Sequence, residues 1–327
     1  MMKFMIVGLG SMGKRRARLL KGLCPEAVLL GVDSQPARRK EAEELGIAPY
    51  ETIAEAAAEN PDAALVCTAP LSHAGIIREL LQRGLPVFTE LNLVPDGYEE
   101  LTALAKKQGL PLFLSSTMLY RGETRYIKKA VADFGGPVNY LYHIGQYLPD
   151  WHPWENYKNF FVGDARTGGC REIFGIDLPW LLDAFGPAEP ACVQKRSLTG
   201  LELAYPDSWM VTLLHQNGTV GMLAVDVASP KAVRSFECYG EGLHLFWEGN
   251  PKELYRFDAA AKEKKPVDTY RSFEQDSRYS DNIVENAYVD ELENFLGVLK
   301  GTQTPRYSFE KDIETLRLID KIEGAGR

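Results

Sequence analysis

Six residues near the start of the chain, Gly8-Leu9-Gly10-Ser11-Met12-Gly13, have the types and spacing of a turn that grips a pyrophosphate. In a G-x-G-x-x-G run the first glycine permits the tight turn. The second lets backbone approach the phosphates, and the third lets helix and strand pack closely. Ser11 and Met12 open the following helix, whose unpaired N–H groups suit an anion. Asp33, 20 residues past Gly13, is the matching acid. Its carboxylate accepts hydrogen bonds from a ribose 2′-hydroxyl and repels a 2′-phosphate, so NAD is favoured over NADP. Ser34, Arg38 and Arg39 stand close enough in the chain to weaken that preference.

Such residues work only when the right elements carry them. Lys3 to Val7 is an apolar strand that delivers the turn. Lys14 to Leu23 places Ala17, Leu19, Leu20 and Leu23 at helical spacing under a basic outer face. Val28 to Val32 is a second strand, ending at Asp33. Alone, the glycine run also describes an ordinary Gly-rich turn. With strand, helix and acid in register it is a dinucleotide-binding fingerprint.

The alternation continues. Helices are expected over Pro36 to Leu45, closed by Gly46, and over Ile53 to Glu59. Ala63 to Pro70 reads as a buried strand, with Ser72 capping a helix over Ala74 to Arg83. Pro86 to Glu90 is the next strand, Asp96 and Glu99 form a capping-box-like pair, and Pro111 to Ser115 is a further strand. Strands joined by helices require a parallel, right-handed doubly wound sheet. Ligands there lie at the carboxyl ends of strands, which places Thr68, Pro70, His73 and Glu90 at the cofactor.

Near Leu119 the pattern changes, so the domains are set at 1–118 and 119–327. A helix over Glu123 to Phe134 precedes strands at Val138 to Leu148, Trp209 to His215, Thr219 to Val227, Arg234 to Tyr239 and Leu243 to Trp247. Turns such as Gln216-Asn217-Gly218 make this a largely antiparallel sheet in an α+β domain. Helices over Asn282 to Leu299 and Phe309 to Ile322 close the chain and pack back towards the first domain, while Lys262 to Lys265 reads as a solvated turn.

A net charge of −8 and a pI near 5.3 argue against nucleic acid or an anionic membrane as partner. Five scattered cysteines without a C-x-x-C pair indicate neither a metal site nor a disulfide framework. No apolar run approaches a membrane span, and Met1 to Val7 is too short for a signal peptide, so a cytoplasmic protein is expected.

Over nearly its whole length the chain resembles the Gfo/Idh/MocA superfamily (glucose–fructose oxidoreductase, inositol dehydrogenase and relatives). The residues that carry the resemblance are Gly8 to Gly13 with Arg15-Arg16, Thr68 to Ala74, Val87 to Glu90, Gly168-Gly169 through Phe185-Gly186, and Asp290 to Phe295. It implies an N-terminal Rossmann domain and a C-terminal domain whose open sheet lines the substrate site on one face. The other face commonly builds a homodimer or homotetramer. The implied chemistry is reversible hydride transfer between NAD, with NADP possible, and a hydroxyl-bearing carbon of a sugar or sugar derivative.

The sequence departs from the family at the catalytic positions. The usual Glu-Lys-Pro is Glu90-Leu91-Asn92 here. The family's Asp and His stand four apart on one helix face, and counting back from Phe185-Gly186 places Glu172 and Ile176 there. Moving the alignment by one residue puts Asp177 in the His position instead. Hydride transfer needs a group that exchanges the hydroxyl proton, and Leu91 and Ile176 cannot. Glu172, His152 and Asp177 are therefore the catalytic candidates. Glu172 alternatively pairs with Arg166 or Arg171. Trp151, Trp154, Tyr120, Arg121 and Arg171 are substrate-binding candidates; the aromatic stretch Tyr147 to Tyr157 suits stacking on a sugar, or else packs across the sheet. Double loss of the usual lysine and histidine also admits a cofactor-binding protein without dehydrogenase activity, a sensor or partner subunit. A redox-assisted epimerase or lyase is a third reading.

Overall fold

The computed structural model describes residues 1–153, 155–273 and 283–325. Strand β1 (Lys3–Val7) enters the interior at once, with Phe4, Met5 and Ile6 fully buried. It pairs in parallel with β2 (Val28–Val32) on one side and β4 (Ala63–Val66) on the other. With β3 (Ala48–Tyr50), β5 (Val87–Thr89) and β6 (Leu112–Leu114) these form a six-stranded parallel sheet ordered β3-β2-β1-β4-β5-β6. Between strands run α1 (Ser11–Leu23), α2 (Pro36–Glu44), α3 (Ile53–Ala57), α4 (His73–Gln82) and α5 (Tyr98–Gln108). The doubly wound parallel sheet is as expected.

Two helix starts differ from expectation. Ser72 does not cap α4, because its hydroxyl donates to Thr68 Oγ1 and Ala69 O instead. Gly97, left-handed at φ 72°, sets the start of α5, so Asp96 and Glu99 form no capping box. The basic outer face of α1 is also only partial, since Arg15 and Arg16 are buried.

The chain divides into two units, Met1–Ser116 with Tyr288–Lys311, and Thr117–Ala287 with Asp312–Arg327. The second unit holds α6 (Gly122–Phe134), α7 (Gly169–Phe185) and an eight-stranded sheet. Its strands are β7 (Asn139–Gly145), β8 (Ala188–Arg196), β9 (Ser208–His215), β10 (Val220–Asp226), β11 (Val233–Gly240), β12 (Leu243–Trp247), β13 (Leu254–Asp258) and β14 (Glu263–Pro266). They are ordered β14-β13-β12-β11-β7-β10-β9-β8, and only the β7–β10 pair is parallel. Side chains alternate between faces. Tyr140, Tyr142, Val211, Leu213, Leu223, Phe236 and Trp247 are buried, and Trp180 of α7 packs edge-on against Tyr142 and Phe236 at 5.5 and 5.3 Å. Leu141, Met210, Leu214 and Met222 stay exposed on the other face.

The expected solvated turn at Lys262 to Lys265 is corrected. Lys262 turns at φ 56°, and Glu263–Pro266 then form an exposed edge strand whose Lys264 ammonium sits 3.7 Å over the Phe246 ring. Lysine and proline on an edge block further pairing, which is why the stretch reads as turn. Helices α8 (Glu285–Leu299) and α9 (Phe309–Gly324) close the chain; Asn282, the expected start of the first, lies outside the described residues.

Candidate functional site

The nucleotide turn follows β1 directly. Gly8 adopts φ 95°, and a Cβ there would meet the Cys67 carbonyl oxygen at 2.8 Å. A Cβ on Gly13 would lie 1.9 Å from the Gly8 carbonyl oxygen, so the first and third glycines are required by the turn's own closure. Gly10 differs: a Cβ on it would touch nothing within 4 Å. The backbone there is open, which leaves room for a phosphate to approach. The first turn of α1, from Ser11 and Met12 onward, carries no acidic residue, and no side chain caps it. A helix N-terminus in that condition favours an anion.

At the end of β2, Asp33 accepts from the Leu9 amide through Oδ2 and from the Gln35 amide through Oδ1, both at 2.9 Å. Each oxygen keeps a lone pair for a hydroxyl. Ser34, next to it, is exposed. The turn, the bare helix start and the fixed acid together fit a dinucleotide.

At the far ends of β4 and β5, Thr68, Pro70, His73 and Glu90 form two buried networks. His73 Nε2 meets the Thr68 carbonyl at 2.9 Å and Nδ1 meets the Asn92 amide at 2.6 Å. A carbonyl only accepts, so Nε2 carries a proton. Nδ1 faces Asn92 Oδ1, and burial lowers the imidazole pKa. His73 thus pins the Thr68–Pro70 loop. Glu90, the expected cofactor contact, has both oxygens on Arg16, at 2.6 Å from Nε and 3.2 Å from Nη2. Arg16 reaches Glu291 at 2.7 Å as well, and Glu291 accepts from the Ser115 hydroxyl and the Ser116 amide. Burial raises the Glu291 carboxyl above its ordinary range. Glu90 is therefore held by the framework, and any work it does at a cofactor is done from that fixed position.

In the second unit, α7 begins at Gly168-Gly169. A Cβ on Gly168 would strike the Tyr205 ring at 2.8 Å, and one on Gly169 would strike Val227 at 2.9 Å. The Tyr205 hydroxyl accepts from the Gly169 amide and donates to the Val162 carbonyl, tying the preceding loop to the helix start. Along the buried helix, Glu172 and Ile176 are both partly exposed, while Asp177 is 1% exposed. Those two positions are four apart and share a face. Glu172 Oε2 is buried without a hydrogen-bond partner, and burial pushes its carboxyl up to about 8.

Several candidate residues stand in buried contacts. Asp177 Oδ1 accepts from Tyr142 at 2.7 Å, from Trp180 at 3.0 Å and from the Arg234 guanidinium, which ties helix to sheet, while Oδ2 is buried without a partner. Arg121 pairs through two nitrogens with buried Glu123 and stacks 5.0 Å over Trp247; Tyr120 beside it is 1% exposed. Arg171 is buried between Asp320 and Glu323 of α9. Charges buried in this way hold structure together, because leaving either partner uncompensated is costly. The alternative pairing of Glu172 with Arg171 is likewise not formed.

Trp151 donates to the Gln146 carbonyl at 3.1 Å, and its ring lies beside Gly169. The half-buried His152 ring packs on Phe160 at 4.4 Å between centroids, and burial lowers its pKa. Trp154 lies outside the described residues.

Residues 2–116 match the model of an oxidoreductase family with an NAD-binding Rossmann fold, Gfo/Idh/MocA. The likeness by sequence is shown for these residues. The myo-inositol dehydrogenase Hyg17 of Streptomyces leeuwenhoekii is 34% identical over 113 residues, 33% of this chain. The match covers 34% of that protein, so the chain spans about a third of the length of the curated relative it matches. An oxidoreductase from Agrobacterium radiobacter, solved with NAD⁺, L-tartaric acid and magnesium, superposes with a TM-score of 0.79 at 15% identity, covering 100% of this chain and 97% of its own. The UDP-N-acetylglucosamine 3-dehydrogenase GnnA of Acidithiobacillus ferrooxidans does so at 0.76 and 17% identity, covering 99% and 97%. At these identities the structures show that the fold is shared through both units.

Sequence reasoning missed Tyr205 and the Arg16–Glu291 pair. Tyr205 sits in an irregular stretch with no periodicity to mark it. Arg16 and Glu291 were visible as family positions, but their pairing joins residues 275 apart and no local pattern reports it.

Proposed function

We propose that this chain is an NAD(P)-dependent oxidoreductase that interconverts a hydroxyl and a carbonyl on a sugar or sugar derivative, with NAD the favoured cofactor. One observation carries the catalytic part: Glu172 presents a carboxyl pushed up to about 8 with one oxygen buried and unpartnered. A nicotinamide cofactor supplies the hydride acceptor or donor. What the chain itself must supply is proton exchange at the alcohol oxygen, and a carboxyl poised near neutrality suits that task in both directions. As carboxylate, Glu172 takes the hydroxyl proton during oxidation; as carboxylic acid, it returns one during reduction. His152, beside Glu155 and Phe160, is the second proton-handling candidate, and Trp151 offers a face for a sugar ring. Dehydrogenases of inositol and of a UDP-sugar among the similar proteins support a carbohydrate-like substrate. Five cysteines, all free thiols, accord with a reducing, cytoplasmic compartment.

The test is NADH formation across a panel of cyclitols, sugars and UDP-sugars. With a substrate that turns over, Glu172→Gln lowers kcat by about 10²-fold or more, as expected for loss of a general base, and removes the rise in oxidation rate that wild type shows up to pH about 8. Unchanged turnover in both Glu172→Gln and His152→Ala contradicts the assignment. A second reading rests on Leu91 and Ile176, both partly exposed and apolar where the resemblance implies lysine and histidine. A non-dehydrogenase role is supported instead if activity appears only in Leu91→Lys/Ile176→His.

A further inference from the structure

Several arginines of this chain close one edge of the guanidinium on a carboxylate. Arg16 sets Nε and Nη2 on Glu90 at 2.6 and 3.2 Å, Arg78 sets them on Glu100 at 2.6 and 2.7 Å, and Arg121 on Glu123 at 3.2 and 2.5 Å. That edge is a planar fork matching two oxygens at once. Arg234 of β11 is different. Its Nη1 donates to Asp177 Oδ1 and, at 2.7 Å, to the Tyr142 hydroxyl, with the Met118 sulfur 3.9 Å away. Both hydrogens of Nη1 are thereby used. Nε and Nη2 make no hydrogen bond among the described residues, and neither is sealed from solvent.

The open fork is held still. Only 14% of the Arg234 side chain is exposed, and the Asp177 that grips it is 1% exposed. Three N–H donors on a fixed and largely dry cation are unfavourable until something accepts from them. Asp177 stands five residues along α7 from Glu172, about 7.5 Å of helix rise. The guanidinium and the carboxyl assigned to proton exchange are therefore tied to neighbouring turns of one helix. Charge narrows what can dock. Asp177 already offsets the guanidinium, so a phosphate of charge about −2 is repelled more than a carboxylate of −1. Glu172, pushed up to about 8 by burial, adds little charge at neutral pH.

We infer that the Nε–Nη2 edge of Arg234 receives a carboxylate of the substrate, which makes the sugar derivative handled by this chain a sugar acid. This rests on the oxidoreductase reading above and deepens it. Asp177 and Tyr142 hold the guanidinium, Arg234 anchors the acid end, and Glu172 exchanges the proton of a hydroxyl on the same molecule.

Matched compounds test it: D-glucuronate beside D-glucose, D-galacturonate beside D-galactose, and D-glucose 6-phosphate as a separate arm. Each is titrated by calorimetry into the full chain with NADH present, and each is assayed for NADH formation with NAD⁺. Each acid should bind about tenfold or more tighter than its neutral partner, the scale of a charge-assisted fork, and should show the higher kcat/KM. Arg234→Lys keeps a cation beside Asp177 but has no fork. It should cut the acid-to-neutral ratio by about tenfold, mainly through KM. Thermal unfolding shows whether the variant is folded, and the wild-type ratio decides the matter even if it is not. The inference is overturned if the acids bind no tighter than the neutral sugars, if folded Arg234→Lys leaves the ratio unchanged, or if D-glucose 6-phosphate binds more tightly than either acid. Turnover of neutral sugars without preference for acids overturns it and leaves the oxidoreductase reading standing. Acid binding that depends on Arg234, with no NADH formed from any compound, supports the anchor and contradicts that reading, so the two failures are told apart.

Discussion

At the scale of single residues, the site is built by giving similar groups different surroundings. The second unit holds Glu172 and Asp177 five positions apart on one helix, in different surroundings. Each has one buried oxygen without a partner, but Asp177 Oδ1 takes Tyr142, Trp180 and Arg234. Glu172 has a buried oxygen with no partner, and desolvation raises its pKa from 4.5 to about 8. The sign of the consequence follows. Between pH about 4.5 and 8 the folded chain holds a proton that the unfolded chain has released, so stability falls as pH rises across that window and levels off above it. Glu172→Gln removes this dependence. Denaturant titrations at pH 5 and at pH 8.5 should therefore show the variant gaining on wild type at the higher pH, and a difference that stays constant between the two contradicts the raised pKa. The departure at Asn92 has a comparable logic: its amide answers the buried His73 ring, and that ring holds the Thr68 carbonyl.

At the scale of elements, the strongly periodic parts were legible before any coordinates. The β1-turn-α1-β2 unit, the parallel order that follows it and the Asn217-Gly218 hairpin between β9 and β10 all follow from local pattern. Elements whose sequence carries a competing signal were not. β8 contains Pro190 at a register shift, β14 is Glu-Lys-Lys-Pro, and β3 is three residues of Ala-Pro-Tyr. In the site, the glycines and Asp33 were readable because backbone geometry selects their types. The buried partners of Arg121, Arg171 and Asp177 were not legible, because a charged residue near an expected cleft looks the same in sequence whether it faces ligand or a buried partner. The outer face of the large sheet supports a further proposal at this scale. Leu141, Met210, Leu214 and Met222 are 41–59% exposed on the neighbouring strands β7, β9 and β10. We propose that this apolar patch joins two copies of the chain, as the family resemblance implies. Light scattering after size exclusion should report a dimer or tetramer for wild type and a smaller species for Met222→Lys; a monomeric wild type, or a variant that assembles equally well, contradicts the proposal.

At the scale of the whole molecule, the chain is acidic, with a net charge of −8, and among the described residues no helix is long and apolar enough to cross a membrane. Every functional statement above then depends on the first unit gripping a dinucleotide. Gly10 isolates that dependence. Its neighbours Gly8 and Gly13 are needed for the turn to close, so replacing them would confuse binding with folding. A methyl on Gly10 meets nothing in the chain, and in a G-x-G-x-x-G turn the second glycine is the one that lets the pyrophosphate approach. The most direct measurement is the NAD⁺ affinity of Gly10→Ala beside that of wild type, with thermal unfolding of both recorded in the absence of nucleotide. The account predicts saturable binding by wild type, a loss of about tenfold or more in the variant, and midpoints within about 2 °C of each other, as for a surface substitution of under 0.5 kcal/mol. Equal affinity in the two proteins, or no binding by wild type, would contradict it.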